Sequence, residues 1–556
     1  MVKRGKDSLV SMNRDRNQPD AAVPAGGLSR REFLTLCVVG AMSSGLLDAC
    51  QSGPSGVGNA TPIPTRRPTP TNTPLPPPTS ADWSALANSL QGTLVRPGSP
   101  QYSTARQLFN TRFDSAQPAA IAYCASPADV QTCLAFARRF ALPFAPRAGG
   151  HSYAGYSTTT GLVLDVTRMN TVIVNTGSGT ATVGAGTRLI DLYAALAQYG
   201  LALPGGSCPT VGIAGLTLGG GVGVLGRKFG LTCDNLLAAQ VVLADGSLQI
   251  CDASHDPDLF WALRGGGGGN FGVVTSFTFH VYPVAGLSLF TLNWPWGNAA
   301  AVVDAWQSWA PQAPDELWSN CLLLATSNKQ SDPIVQANGV YVGDVAPLDS
   351  LIQQLINKVG VVPSGRYVSA VGLLDTMMDE AGCYGMTVDE CHLPSQNPHG
   401  QLQRDTSRAK SDYYSTAIPR QGIDALVSTI AQRQASTTLG VGGIGLDAFG
   451  GAINRIPSDA TAFVHRNALF SAQYSANWNA SDPETIVAAN YSWLNNTWQA
   501  MRQYASGAAY QNYIDPDLAN WQQAYYGTNL PRLQRIKAAY DPGNLFHFNQ
   551  SISPAI

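Results

Sequence analysis

Two glycine-rich loops in this chain carry residues able to form covalent bonds. Gly205 to Gly223 reads GGSCPTVGIAGLTLGGGVG and holds a thiol, Cys208. Ala145 to Ser152 reads APRAGGHS and places an imidazole, His151, behind two glycines. Glycine lets the main chain come close to a ligand, and successive N–H groups can cradle a phosphate. A thiolate is a strong nucleophile. Each residue also has an ordinary alternative, His151 as a loop histidine and Cys208 as a small buried hydrophobe. Gly221-Val222-Gly223-Val224-Leu225-Gly226 fits the G-x-G-x-x-G pattern. No buried strand precedes it, and the next acid in range, Asp245, sits in a turn, so a Rossmann site is rejected.

These residues need a scaffold. From about 83 to 285, short β-branched runs alternate with helical ones. Ala119–Tyr123, Leu162–Val166 and Thr171–Val174 read as strands. Pro127–Phe140 reads as an amphipathic helix with Asp129 near its start, and Leu189–Tyr199 as a second helix. Ala239–Leu243 and Ser247–Ile250, joined through Asp245-Gly246, read as a hairpin. Asp258–Arg264 is a helix running into five glycines, Gly265–Gly269. Past Pro283 the pattern changes. Strands at Leu289–Asn293, Leu322–Ala325 and Val340–Val342 alternate with helices at Ala299–Trp309, Leu348–Ile356 and Gln421–Gln432, forming a separate α+β unit to about 505.

With 556 residues, 44% hydrophobic and 13% charged, the chain can bury a large core. A formal net charge of -2 and no basic run after residue 70 argue against nucleic acid as a partner. The ten cysteines are too few for a disulfide scaffold. Cys383 and Cys391 nevertheless flank a short loop and are expected to pair, with Cys124 and Cys133 a weaker pair. No metal-ligand cluster is visible. Trp294, Trp296, Trp306 and Trp309 either stack sugars or pack the core. Before residue 83, Ser29-Arg30-Arg31-Glu32-Phe33-Leu34 resembles a twin-arginine export signal. The apolar run Phe33–Leu47 is too short for a permanent span. Leu47 to Cys50 resembles a lipobox that would lipidate Cys50, and residues 51–82 form a Pro/Thr-rich spacer.

Four motifs follow in order: RAGGHS, the Cys208 loop, DPDLFWALRGGGGGNFGVVTSF and YDPGNLFHFNQSI. Together they resemble the berberine bridge enzyme-like family of FAD-linked oxidases, within the vanillyl-alcohol-oxidase superfamily. The resemblance implies an α+β fold, with a two-subdomain PCMH-type FAD-binding domain and an α+β substrate domain whose antiparallel sheet is covered by helices. The expected division is a signal at 1–50, linker at 51–82, FAD domain at 83–285, substrate domain at 286–505 and a returning C-terminal segment at 506–556. It further implies one FAD bonded to both His151 and Cys208, with Arg147, Gly149, Gly150, Ser152, Gly206, Val211, Gly212, Gly215, Gly272, Val273 and Gln550 around it. Val211 matches the family's oxygen-gating position in members that react with O2. Leu216 and Val222 depart from a histidine and a tyrosine found in some members. Tyr510-Gln511-Asn512-Tyr513-Ile514-Asp515 matches a family motif whose second tyrosine, here Tyr513, serves as the base or lines the site. A phenol has a pKa near 10 in water, so in that role Tyr513 needs a cation or donor beside it. Its alternative is core packing, and Tyr510 and Tyr526 are the fallbacks for the base. The expected reaction is oxidation of an alcohol or carbohydrate, with O2 reduced to hydrogen peroxide, on an exported, surface-anchored or secreted protein. A dehydrogenase or tailoring oxidase of a secondary metabolite, and a surface protein that merely retains flavin, are the alternatives.

Overall fold

The computed structural model describes residues 76–555. The twin-arginine-like segment, Cys50 and most of the proline-rich spacer lie outside the described residues. Helix Ser80–Ser89 opens the described body, two residues before the expected start at Asp82. Its start is a capping box: the Thr79 nitrogen donates to Asp82 Oδ2 at 2.9 Å and the Asp82 nitrogen to Thr79 Oγ1 at 3.3 Å. Trp83 and Leu86 are the buried pair that docks this helix.

Two sheets build the first half. A four-stranded sheet runs Thr93–Val95, Ala120–Tyr123, Leu162–Asp165, Phe144–Arg147 across its width, the last three parallel. Helix Pro127–Arg139 is the crossover between Ala120–Tyr123 and Phe144–Arg147. Asp129, legible only as an acid in the first turn, turns inward and accepts from the nitrogens of Gln91, Gly92 and Ala125 at 2.8–2.9 Å. A five-stranded antiparallel sheet follows, in the order Val172–Asn175, Thr180–Gly184, Val273–His280, Leu236–Val242, Leu248–Asp252. The expected hairpin is its last pair, closed through Gly246 at φ +90°.

The middle of the chain forms a seven-stranded sheet, antiparallel throughout. Its order is Gly365–Val371, Leu287–Trp294, Ile334–Val342, Leu317–Ala325, Gly442–Ala448, Phe470–Asn477, Ser407–Tyr414. Helices Ala299–Trp309, Val345–Val359, Arg420–Ala435 and Glu484–Arg502 cover one face through residues such as Trp306, Ile352, Ile423 and Leu494. An antiparallel sheet needs only one covered face. The other faces the first half of the chain, where Leu289, Trp318 and Val340 join that half's core and polar residues such as Asp447, Gln473 and Ser475 reach the cavity described below. Trp294, Trp306 and Trp309 are buried in this helix-covered core, and the Trp306 indole donates to Ser319 Oγ at 3.0 Å. Trp296 packs against the same core, so of the two alternatives for these tryptophans the structure takes core packing.

The chain then returns. Helices Trp521–Tyr526 and Leu530–Tyr540 and the tail through Ile552 join the core of the first half. The Cys383–Cys391 disulfide is formed, whereas Cys124 and Cys133 are buried free thiols. Among the described residues no helix is long and apolar enough to cross a membrane, and no His/Cys/Asp/Glu group could hold a metal ion.

Candidate active site

The His151 and Cys208 loops meet backbone to backbone. Strand Phe144–Arg147 delivers the first at its carboxyl end, where ligands gather in parallel sheets. Helix Leu189–Ala197 holds the second: the Leu189 nitrogen donates to the Val211 carbonyl at 3.0 Å and Ile190 to Pro209 at 3.1 Å. A Cβ on Gly149 would lie 2.3 Å from the Gly212 nitrogen, and one on Gly212 2.4 Å from the Gly149 nitrogen. Only glycine permits that clasp. Gly149→Ala is therefore expected to destabilise the fold by about 1–3 kcal/mol and to lower flavin content, checked by thermal unfolding and by absorbance of the purified protein.

A cavity of about 1270 Å³ opens at this junction. That exceeds the roughly 300–1,000 Å³ of a single small-molecule site, leaving room for a dinucleotide with a second molecule beside it. His151, Cys208, Arg147, Gly149, Gly150, Ser152, Gly206, Val211, Gly212, Gly215, Gly272, Val273 and Tyr513 all line it, as do Leu216, Val222 and Tyr526. A Cβ on Gly215 would meet nothing within 4 Å, so that glycine faces open space. Arg147 Nη1, Tyr156 Oη, Thr158 Oγ1 and Asn544 Oδ1, all on residues of the cavity wall, are buried without a protein partner. Buried polar atoms call for partners, and a polar dinucleotide such as FAD supplies them.

The remaining guanidinium of Arg147 is committed elsewhere. Its Nε pairs with Asp165 at 2.5 Å and Nη2 donates to the Ala105 carbonyl at 2.7 Å, so the residue chiefly braces the strand below His151. Gln550 differs from expectation: it is buried outside the cavity wall, donating to the Asp515 carbonyl at 2.8 Å, while neighbours Phe548 and Asn549 line the wall. The tail approaches the cavity, and the turn at Asn549–Gln550 with the bond to the Asp515 carbonyl holds the Gln550 side chain off the wall.

His151 Nε2 lies 2.8 Å from Thr210 Oγ1, and the ring stacks on Phe109 at 4.1 Å. Burial pulls its pKa down to about 3, which keeps the imidazole neutral with a lone pair available. Tyr510 is pushed up to about 12 by burial. Its hydroxyl oxygen accepts from the nitrogens of Gly221 (3.0 Å) and Val222 (3.3 Å) and from Asn512 Nδ2 (3.0 Å). Tyr510 thus anchors the glycine run. That run does not form a dinucleotide turn, since a Cβ on Gly223 would fall 1.6 Å from the Gly205 carbonyl oxygen. Tyr513 is the tyrosine left facing the cavity beside it, its ring 4.9 Å from Tyr510 and stacked flat on Tyr153 at 5.2 Å and 8°.

Sequence reading missed the polar set that the seven-stranded sheet adds to this wall. Gln473 donates to the Tyr153 hydroxyl at 2.8 Å, and Asp447 and Ser475 lie on the same sheet face. The signal was present. Phe470–Asn477 (FSAQYSAN) alternates strictly, sending Phe470, Ala472, Tyr474 and Ala476 into the helix-covered core and the polar set to the cavity.

His465, in the TAFVHR stretch, is structural: it stacks on Tyr413 at 4.3 Å and is absent from the cavity wall. Burial pulls its pKa down to about 3, against about 6.5 when unfolded. The unfolded chain therefore binds the proton first. The stability this histidine contributes is complete above pH 6.5 and lost as pH falls from 6.5 towards 3, by about 2 kcal/mol at pH 5. Urea unfolding at pH 7.5 and 5 is expected to show a smaller pH difference in His465→Gln than in the parent protein.

Comparison with known proteins agrees with this geometry. The FAD binding domain family matches residues 118–252, and the berberine and berberine-like family matches residues 509–553. The chain is 33% identical to the FAD-linked oxidoreductase YgaK of Bacillus subtilis, over 84% of this chain and 97% of that protein. Among solved structures, wild-type BBE-like 1 of Physcomitrella patens superposes with a TM-score of 0.76 at 32% identity, covering 85% of this chain and 99% of that one. A chitooligosaccharide oxidase superposes with a TM-score of 0.73 at 28% identity, covering 85% and 99%. The chain belongs to the berberine bridge enzyme-like family of FAD-linked oxidoreductases. It is an FAD-binding enzyme with the PCMH-type α+β fold.

Proposed function

We propose that the enzyme oxidises a hydroxyl-bearing carbon of a carbohydrate and passes the electrons to O2, releasing hydrogen peroxide. The observation that carries this is the cavity wall opposite the His151 and Cys208 loops. There Ser407, Asp447, Gln473, Ser475 and Asn477 present a row of hydroxyl, amide and carboxylate groups from adjacent strands. Such a surface suits a ring with many hydroxyl groups, and the similarity to a chitooligosaccharide oxidase supports it.

When bound, FAD supplies the hydride acceptor and the electrons that O2 takes up. His151 and Cys208 would hold it through two covalent links, with an imidazole nitrogen and the Cys208 sulfur as the bonding atoms. Two links leave the substrate side open, because retention no longer depends on enclosure. Tyr513 takes the substrate hydroxyl proton, held in place by Tyr153, whose own hydroxyl accepts from Gln473. Val211, beside Cys208 in the wall, leaves O2 access to the reacting face. The SRREFL segment supports export in the folded, flavin-loaded state, and Leu47–Cys50 supports a lipid anchor that the proline-rich spacer would hold away from the body.

A hydrogen-peroxide release screen over glucose, cellobiose, chitobiose and aromatic alcohols tests this reading. Turnover is expected with at least one saccharide. Flavin that none of these bleaches anaerobically would overturn it, and bleaching followed by sluggish reoxidation in air would replace the oxidase with a dehydrogenase.

A further inference from the structure

The strand Ser407–Tyr414 is the outer edge of the seven-stranded sheet, and an unpaired edge needs a cover. The segment that carries Tyr513 supplies it. The Ser506 nitrogen donates to the Tyr413 carbonyl at 2.9 Å, and the Tyr413 nitrogen donates to Ala508 at 3.3 Å. Beyond this pairing, the strand reaches out with side chains from both of its faces. Ser411 Oγ accepts from the Tyr510 nitrogen at 3.0 Å, and Lys410 Nζ pairs with Asp515 Oδ2 at 2.5 Å. Between those two anchors the chain turns, the Tyr513 nitrogen donating to the Tyr510 carbonyl at 2.9 Å. Tyr513 sits on that turn.

We propose that Lys410 is a positioning residue for Tyr513, its ion pair with Asp515 fixing the phenol over the cavity; this rests on Tyr513 being the base. Lys410 and Asp515 are both nearly inaccessible, with side chains 3% and 5% exposed. The ammonium also lies 4.7 Å from the centre of the Trp498 ring. Asp515 is fixed from every side. The Tyr525 hydroxyl accepts from its nitrogen and Gln550 donates to its carbonyl, both at 2.8 Å, and Arg408 Nη2 stands 3.6 Å from its second carboxylate oxygen. A buried ion pair is a poor way to gain stability, because apolar residues of similar volume commonly serve as well or better. What it does supply is direction. A methionine and a leucine would fill the same space without specifying where Asp515, and Tyr513 two residues before it, must stand.

The test separates stability from position. Lys410→Met alone leaves Asp515 buried and unpaired, so a loss of stability is expected and says little by itself. The flavin-loaded double variant K410M/D515L is expected to recover the parent melting temperature. It is still expected to reduce its flavin at least tenfold more slowly, at saturating levels of the saccharide that bleaches the parent fastest, with the half-saturating concentration unchanged. K410R, which keeps the charge, is expected to recover most of the rate. A crystal structure of the flavin-loaded double variant gives a readout independent of any substrate, and is expected to show the Tyr153–Tyr513 stack displaced. A double variant with the parent rate, or with that stack intact, would overturn the proposal. If Tyr513→Phe leaves the rate unchanged, the base assignment fails instead.

Discussion

Tyr513→Phe slows anaerobic reduction of the bound flavin by about a hundredfold or more, a loss of about 2.7 kcal/mol of transition-state stabilisation. The size follows from what the substitution removes. Phenylalanine keeps the ring, so its stacking on Tyr153 and its contact with Tyr510 survive. Only the oxygen proposed to receive the substrate proton is lost. Tyr510 cannot replace it, because burial pushes its pKa to about 12 and three N–H donors already occupy its oxygen. Tyr526, the second fallback for the base and also on the wall, is likewise raised by burial. Stopped-flow absorbance of the variant, mixed anaerobically with the saccharide that reduces the parent fastest, checks this. Reduction at the parent rate would remove Tyr513 from the chemistry and leave it a packing residue.

The second large effect concerns the two proposed attachments, at His151 and Cys208. Cys208→Ala is expected to keep its flavin through denaturation, held by His151 alone, with an altered absorbance spectrum. His151→Ala is expected to keep it through Cys208. The double variant H151A/C208A is expected to lose all covalently held flavin, retaining only what the cavity binds by polar contact. The geometry underlies this independence. The clasp of Gly149 against Gly212 sets the spacing between the two loops, so deleting one side chain leaves the other in place. Acid precipitation of each variant, followed by absorbance of pellet and supernatant, distinguishes the three. Full release of flavin from either single variant would mean that one link is made only after the other.

How much of this was legible in the sequence depended on what each residue does. The two glycine-rich loops were readable as places of close backbone approach, because such approach demands glycine, but the partner read there was a ligand, and the clasp of Gly149 on Gly212 is visible only in the structure. The helix Ala299–Trp309 was readable from its period, and its limits match the structure. Other elements hid. Ser407–Tyr414 reads SRAKSDYY and looks like a polar loop, because Arg408, Lys410 and Asp412 find their partners in Asp515, Asp517 and Arg502, far along the chain. Gly442–Ala448, GGIGLDA, hides for a different reason. A Cβ on Gly443 would fall 2.2 Å from the Leu323 carbonyl oxygen and one on Gly442 2.6 Å from Arg433 Nε, so glycine in this strand answers to tertiary packing rather than local propensity. The tryptophans stayed ambiguous for the same reason. Whether an indole stacks on a sugar or fills a core depends on which face of an element it occupies, and composition carries no information about that.

The most direct measurement of the central claim is the intact mass of the purified protein under denaturing conditions, followed by peptide mapping. A mass increased by one FAD, on a flavin peptide joining the segments around His151 and Cys208, is the predicted result. A mass equal to that of the polypeptide alone, with all flavin free in solution, would contradict it.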